Sequence, residues 1–271
     1  MAIPREPLAN LEKITRSWAD EGLIDPVQNL QQEPIYLWSG RSDLIVQQTV
    51  TNQLQSFYRD FGANVFHYDN QFPAGHGWES PYGLVPCNRT RTPFINLCYD
   101  SSHDKGAYDS EEVWLGQFFK PLQTKSVRPL HSTLLTFDQT QFAPGGAAAT
   151  ISMADTGFVF VPQSCTNGSS CGLVLALHGC AQSSTVIGQT FAYDAGINEW
   201  ADSNNFVVLY PQAIASPGNL LGCWDRWGYL NDRDYAQKSG PQMKALYNMV
   251  VHVTRGSAST SAVVQPSLVN R

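Results

Sequence analysis

The most constraining feature of this 271-residue sequence is the run LVLAL at 173–177, apolar at every position and followed at once by His178-Gly179-Cys180. A strand with one wet face alternates apolar and polar residues, so an unbroken apolar run is what a central strand covered on both faces requires. Such a strand demands helices to cover it, and the remaining sequence supplies them. Residues 35–38 read as a strand that stops at Ser39-Gly40, after which Val46, Val50, Leu54, Phe57, Tyr58 and Phe61 recur at helical spacing up to Gly62. Residues 64–68 predict a strand, 110–119 a helix before Pro121, 157–162 a strand, 185–202 a helix and 206–210 a strand. A last helix starts at Gly240 and carries Met243, Leu246, Tyr247, Val250 and Val251.

Strands alternating with helices place the chain in the α/β class, with a mostly parallel sheet and helices on both of its faces. Residues 1–255 are expected to form one domain. Residues 256–271, rich in Ser, Thr and Ala, are expected to be a disordered tail without function. The net charge of −6 offers no field for phosphates, which excludes nucleic acid as a partner. No stretch approaches the roughly 18 apolar residues of a membrane span, and the first residues lack the apolar centre of a signal peptide. A soluble monomer is expected, without membrane partners.

Six cysteines suit an oxidising compartment. Cys87 and Cys98 bracket one loop and Cys165 and Cys171 another, leaving Cys180 and Cys223; no spacing matches a metal-ligand set. Sequons at Asn88 and Asn167 lie inside those loops.

In such a sheet, ligands bind beyond the carboxyl ends of the strands. Asp43 lies in the turn after the first strand, where it suits either an acid that orients an imidazole or the N-cap of the next helix. His76 lies in the loop Ala74-Gly75-His76-Gly77, whose small residues leave the ring approachable. It reads as a general base, as an exposed loop histidine, or as part of a metal site with His67 and Asp69. At His178-Gly179-Cys180 the glycine permits a tight turn, from which the next amide can point at a developing oxyanion.

The segments VPQSC (161–165), LALHGCAQS (175–183), NEWADSNNFVVLYPQA (198–213) and GCWDRWGY (222–229), with IYLWSGRSDLIV (35–46) and AGHG (74–77), resemble the poly(3-hydroxybutyrate) depolymerase family. The likeness runs from about Asn10 to Val253. Acid and histidine precede the oxyanion segment, as in its circularly permuted fungal-type members. The resemblance implies an α/β-hydrolase-like fold and an extracellular carboxylic ester hydrolase acting on polyester or oligoester, without a cofactor. It implies Asp43 as triad acid, His76 as general base, the Cys180 amide as oxyanion donor, a Cys180–Cys223 disulfide and a substrate-facing Trp224.

The family's nucleophile sits in a G-x-S-x-G elbow between strand and helix, which in permuted members lies upstream of the acid, ahead of this chain's first residue. The chain is therefore expected to be N-terminally incomplete and inactive as it stands. The literal match at 168–172 leads into a strand, so Ser170 is a decoy; Ser257 and Ser259 lack the second glycine and a following helix. Two alternatives stand beside the esterase reading. One is a non-catalytic polymer binder using Trp78, Trp224 and Trp227; the other is an esterase acting on feruloyl or acetyl groups of plant polysaccharide.

Overall fold

The computed structural model describes residues 8–100, 106–166 and 170–256. These fall into two compact units, one running up to His76 and including Cys87–Thr90, the other formed by Gly77–Pro86 and the chain from Arg91 on.

The first unit is a β-α-β arrangement preceded by a helix. After α1 (Leu8–Asp20), β1 (Pro34–Trp38) leads through α2 (Gln48–Asp60) into β2 (Asn64–Asp69), and the two strands pair in parallel. Both strands and α2 follow the sequence expectation. Gly62, at φ +81°, ends the helix in a conformation that any other residue would resist. α1 was not foreseen, although Leu8, Leu11, Ile14 and Trp18 recur at helical spacing; none of its residues is buried.

The second unit holds a three-stranded sheet, β3 (Trp78–Glu79), β4 (Val85–Pro86) and β5 (Ile95–Leu97), in the order β3-β5-β4 with both pairings parallel. α3 (Ser110–Phe118) follows, as expected. The main sheet consists of β6 (Leu134–Asp138), β7 (Thr156–Phe160), β8 (Gly172–Leu175) and β9 (Phe206–Tyr210), in the order β6-β7-β9-β8. β8 and β9 are parallel, while β7 runs antiparallel to both of its neighbours. The remaining helices are α4 (Gln163–Thr166), α5 (Ser184–Ile187), α6 (Thr190–Asp194), α7 (Ile197–Ser203) and α8 (Pro241–Gly256).

β9 is the strand buried on both faces. Phe206, Val208 and Tyr210 join Phe158, Phe160, Phe191 and Trp200 in one core cluster, while Val207 and Leu209 join Val159, Leu246 and Met249 in another. Period-two alternation thus distributes one strand between α7 on one side and α8 on the other. The expectation that 173–177 is central needs correction: β8 sits at the end of the sheet order and is only half-buried. Apolarity at every position reports cover on both faces and says nothing about neighbours at the strand's edges.

The single helix expected over 185–202 is three. Gly188 and Gly196 adopt φ +60° and +82°, breaking the helix on either side of α6. At Gly196 a Cβ would come within 3.1 Å of Ser80 Oγ and 3.2 Å of Glu111 Oε2, so close packing also holds this glycine. Gly256 closes α8, and residues 257–271, with Ser257 and Ser259, lie outside the described residues. Cys165 is bonded to Cys171 and Cys180 to Cys223, and Cys87 and Cys98 are disulfide-bonded as well.

Candidate active site

In the first unit, the turn after β1 is stitched to the loop after β2. Ser39 N–H donates to the Asp69 carbonyl, Arg41 N–H to that of Phe72 and Ser42 N–H to that of Ala74, at 2.9, 2.8 and 3.0 Å. Gln48 Nε2, in the first turn of α2, bridges the carbonyls of Ser39 and Asn70. The approach is so close that a Cβ on Gly40 would lie 2.2 Å from the Ala74 oxygen. Two loops from neighbouring parallel strands are thereby held in fixed register, the rigidity that an orienting acid and its base need.

Asp43 uses its two oxygens for separate tasks. Oδ1 accepts from the amides of Ile45 and Val46, both at 2.8 Å, and Oδ2 lies 2.8 Å from His76 Nδ1. Helix α2 starts only at Gln48 with Gln47 as its cap, so Asp43 caps a turn and not the helix. His76 is fixed through its backbone, its N–H donating to Thr90 Oγ1 at 2.8 Å, while Gly75 N–H donates to the Cys87 carbonyl. A Cβ on Gly75 would sit 2.7 Å from Arg89 backbone atoms, which accounts for glycine there.

The His76 side chain is 41% exposed and that of Asp43 10%. An ionised carboxylate can only accept, so Nδ1 carries the proton and Nε2 presents a lone pair. Among the described residues nothing hydrogen-bonds to Nε2. His67 Nε2 pairs with Asp69 Oδ1 at 3.0 Å, Tyr36 O–H donates to Asp69 Oδ2, and no group of potential ligands able to hold an ion exists among the described residues.

In the second unit, the chain after β8 turns sharply at His178-Gly179-Cys180. His178 is buried. Its Nδ1 donates to the Gly179 carbonyl at 2.8 Å and its Nε2 accepts from Ala213 N–H at 3.1 Å, an arrangement only the neutral ring can make. Burial lowers its pKa to match. Gly179 N–H donates to Gln182 Oε1 at 2.7 Å and Ala181 N–H to the Leu221 carbonyl at 2.6 Å. The Cys180 N–H between them has no acceptor among the described residues.

Trp224 donates its indole N–H to the His178 carbonyl at 3.1 Å and is half-buried against the second core cluster. Trp78 is also half-buried, packed edge-on against Phe191 and donating to the Ala195 carbonyl, which removes it from an exposed aromatic rim. Trp227 remains 46% exposed. Ser170 precedes β8, which begins at Gly172, so no helix follows it.

No family model matches the chain. It is 35% identical over 260 residues to a poly(3-hydroxybutyrate) depolymerase of Delftia acidovorans, covering 94% of this chain and 49% of that protein. It is 33% identical over 267 residues to a polyhydroxybutyrate depolymerase of Talaromyces funiculosus, covering 92% of this chain and 73% of the relative. The chain belongs to the poly(3-hydroxybutyrate) depolymerase family. It spans about half the length of the Delftia member.

Two solved structures in the family share its fold. One is a serine-to-alanine variant of a PHB depolymerase complexed with an R3HB trimer, the other a PHB depolymerase from Penicillium funiculosum. Their TM-scores are 0.80 and 0.79, each at 30% identity and covering 92% of this chain and 79% of the other. The α/β-hydrolase-like class read from the sequence is thus shared with known family members.

Three features escaped sequence reasoning. Thr90 and Gln182 act through hydrogen bonds to backbone amides, and a hydroxyl or an amide in a polar loop gives no periodic signal. The third is a buried charge cluster around the start of α3. Arg128 donates to Glu199 Oε1 at 2.5 Å and to Asp194 Oδ1 at 2.9 Å, and stacks over Tyr82. Lys125 pairs with Asp109. Glu111 is fully buried, accepting from Trp78 Nε1 through Oε1, while Oε2 has no hydrogen-bond partner among the described residues.

Proposed function

We propose that this chain is an extracellular carboxylic ester hydrolase of the depolymerase type, acting on polyester or oligoester without a cofactor. The observation that supports it most is the His76–Asp43 pair, with Nδ1 on a carboxylate and Nε2 outward. In this reading a nucleophilic hydroxyl attacks the ester carbonyl carbon while its proton passes to His76 Nε2. The carbonyl oxygen becomes an oxyanion, for which the Cys180 N–H is the donor. Collapse expels the alcohol oxygen, which takes the proton back from His76 and leaves the acyl group on the nucleophile; water then attacks that acyl carbon, gives its proton to His76 Nε2, and the second collapse releases the carboxylic acid and returns the proton to the nucleophile oxygen. Asp43 holds the ring in its reactive tautomer and stabilises the imidazolium. Trp224 supports substrate, and the six bonded cysteines suit secretion.

A second reading, a polymer-binding protein without turnover, is favoured by one observation: among the described residues no serine hydroxyl bonds to His76 Nε2. The test is hydrolysis of p-nitrophenyl butyrate and of a 3-hydroxybutyrate trimer, with p-nitrophenyl acetate and methyl ferulate beside them. In the full-length protein, hydrolysis of the trimer, with His76→Ala and Asp43→Asn each losing roughly 10³- to 10⁴-fold in kcat, is the expected result. Binding to a polyester film without hydrolysis of any ester would establish the second reading. Preference for methyl ferulate or the acetate would move the substrate to polysaccharide esters.

A further inference from the structure

We propose that Gln182 is a positioning residue for ester hydrolysis, a clamp that leaves the Cys180 amide as the one donor pointing out of its turn. The inference rests on the oxyanion reading above and adds a residue to it. Three consecutive amides, those of Gly179, Cys180 and Ala181, occupy the turn after β8. The first donates to Gln182 Oε1 at 2.7 Å and the third to the Leu221 carbonyl at 2.6 Å. Only the middle one has no acceptor among the described residues. An amide kept from its own backbone partners, with both neighbours committed, is a preorganised donor that needs no rearrangement when charge develops nearby.

Gln182 is the part of this arrangement that is a side chain. It is 5% exposed, and both polar atoms of its side chain are used. While Oε1 accepts from Gly179, Nε2 donates to the carbonyls of Pro93 and Phe94, both at 3.0 Å. The amide group thus ties the turn to the segment leading into β5. Gln182 N–H also donates to the Gly179 carbonyl at 3.2 Å, closing the turn from the backbone side. Gly179 fits because a Cβ there would lie 2.7 Å from Gln182 Oε1, so this position has room for the clamp only as glycine.

The chemistry of the clamp specifies its test. Glutamate keeps the acceptor for Gly179 N–H but loses both donors, whereas methionine has similar length and neither function. We expect Gln182→Met to lower kcat on p-nitrophenyl butyrate by about 100-fold with KM within about twofold, the signature of a contact made in the transition state. Gln182→Glu should fall between Gln182→Met and the unsubstituted chain. Amide hydrogen exchange on the same full-length proteins reads the clamp without activity: Gly179 N–H should be protected in the unsubstituted chain and exposed in Gln182→Met.

Unchanged kcat in Gln182→Met, a loss carried by KM, or an unprotected Gly179 amide in the unsubstituted chain would overturn the proposal. A chain that hydrolyses no ester while Gly179 is still protected by Gln182 would overturn the esterase reading and the catalytic role with it, leaving the clamp as a structural contact.

Discussion

Glu111 is enclosed by the second unit's core, and burial, followed by the charges of Glu79 and Asp109, raises its pKa well above the ordinary 4.5. The folded chain therefore binds a proton here that the unfolded chain releases above pH 4.5. Its contribution is fully present below that value and is lost as pH rises through the folded-state pKa. Glu111→Gln, neutral at every pH, should flatten the fall in Tm as pH rises above 4.5; an identical Tm-against-pH curve would show that Glu111 does not carry this linkage. At this scale the sequence was legible where chemistry is tied to position in the chain. Asp43 and His76 follow strands, and the family resemblance implied the contact that they make at 2.8 Å. Gln182 was not legible, because a glutamine looks the same in a solvated turn as in a buried clamp.

Among the elements, the turn after β1 depends on one atom that is absent. Gly40→Ala would put a methyl group 2.2 Å from the Ala74 oxygen, and backbone cannot yield as the end of a flexible side chain does. We expect Gly40→Ala to lower stability by about 2 kcal/mol or more, within the range of backbone and overpacking effects, and to lower activity with it by loosening the Asp43 turn. Thermal denaturation beside the ester assay checks this, and a variant with unchanged Tm and kcat would refute it. Strand β9 and helix α8 were readable from apolar residues that are buried, and α2 from helical spacing alone, since it buries only Thr51. The two breaks over 185–202 were not, because glycine inside an amphipathic stretch is compatible with either continuation or arrest. The edge position of β8 was hidden for a related reason: pairing is made by backbone, which is the same in every residue.

For the molecule as a whole, low charge density and disulfide closure are the two global properties the sequence announced. With charged residues at 15% of the chain, little stability is expected from surface ion pairs. The bridges differ in reach: Cys180–Cys223 closes a separation of 43 residues, Cys165–Cys171 one of 6. By chain entropy these correspond to about 4 and about 2 kcal/mol. Replacing both Cys180 and Cys223 by serine should therefore lower Tm more than replacing both Cys165 and Cys171, and the reverse order in thermal melts would refute the estimate. The longer bridge begins at the residue whose amide is proposed to receive the oxyanion. Reduction of that bond would leave the turn after β8 held by Gln182 and by the Leu221 carbonyl. An oxidising compartment keeps the loop closed, so the surroundings set how many ties this turn has.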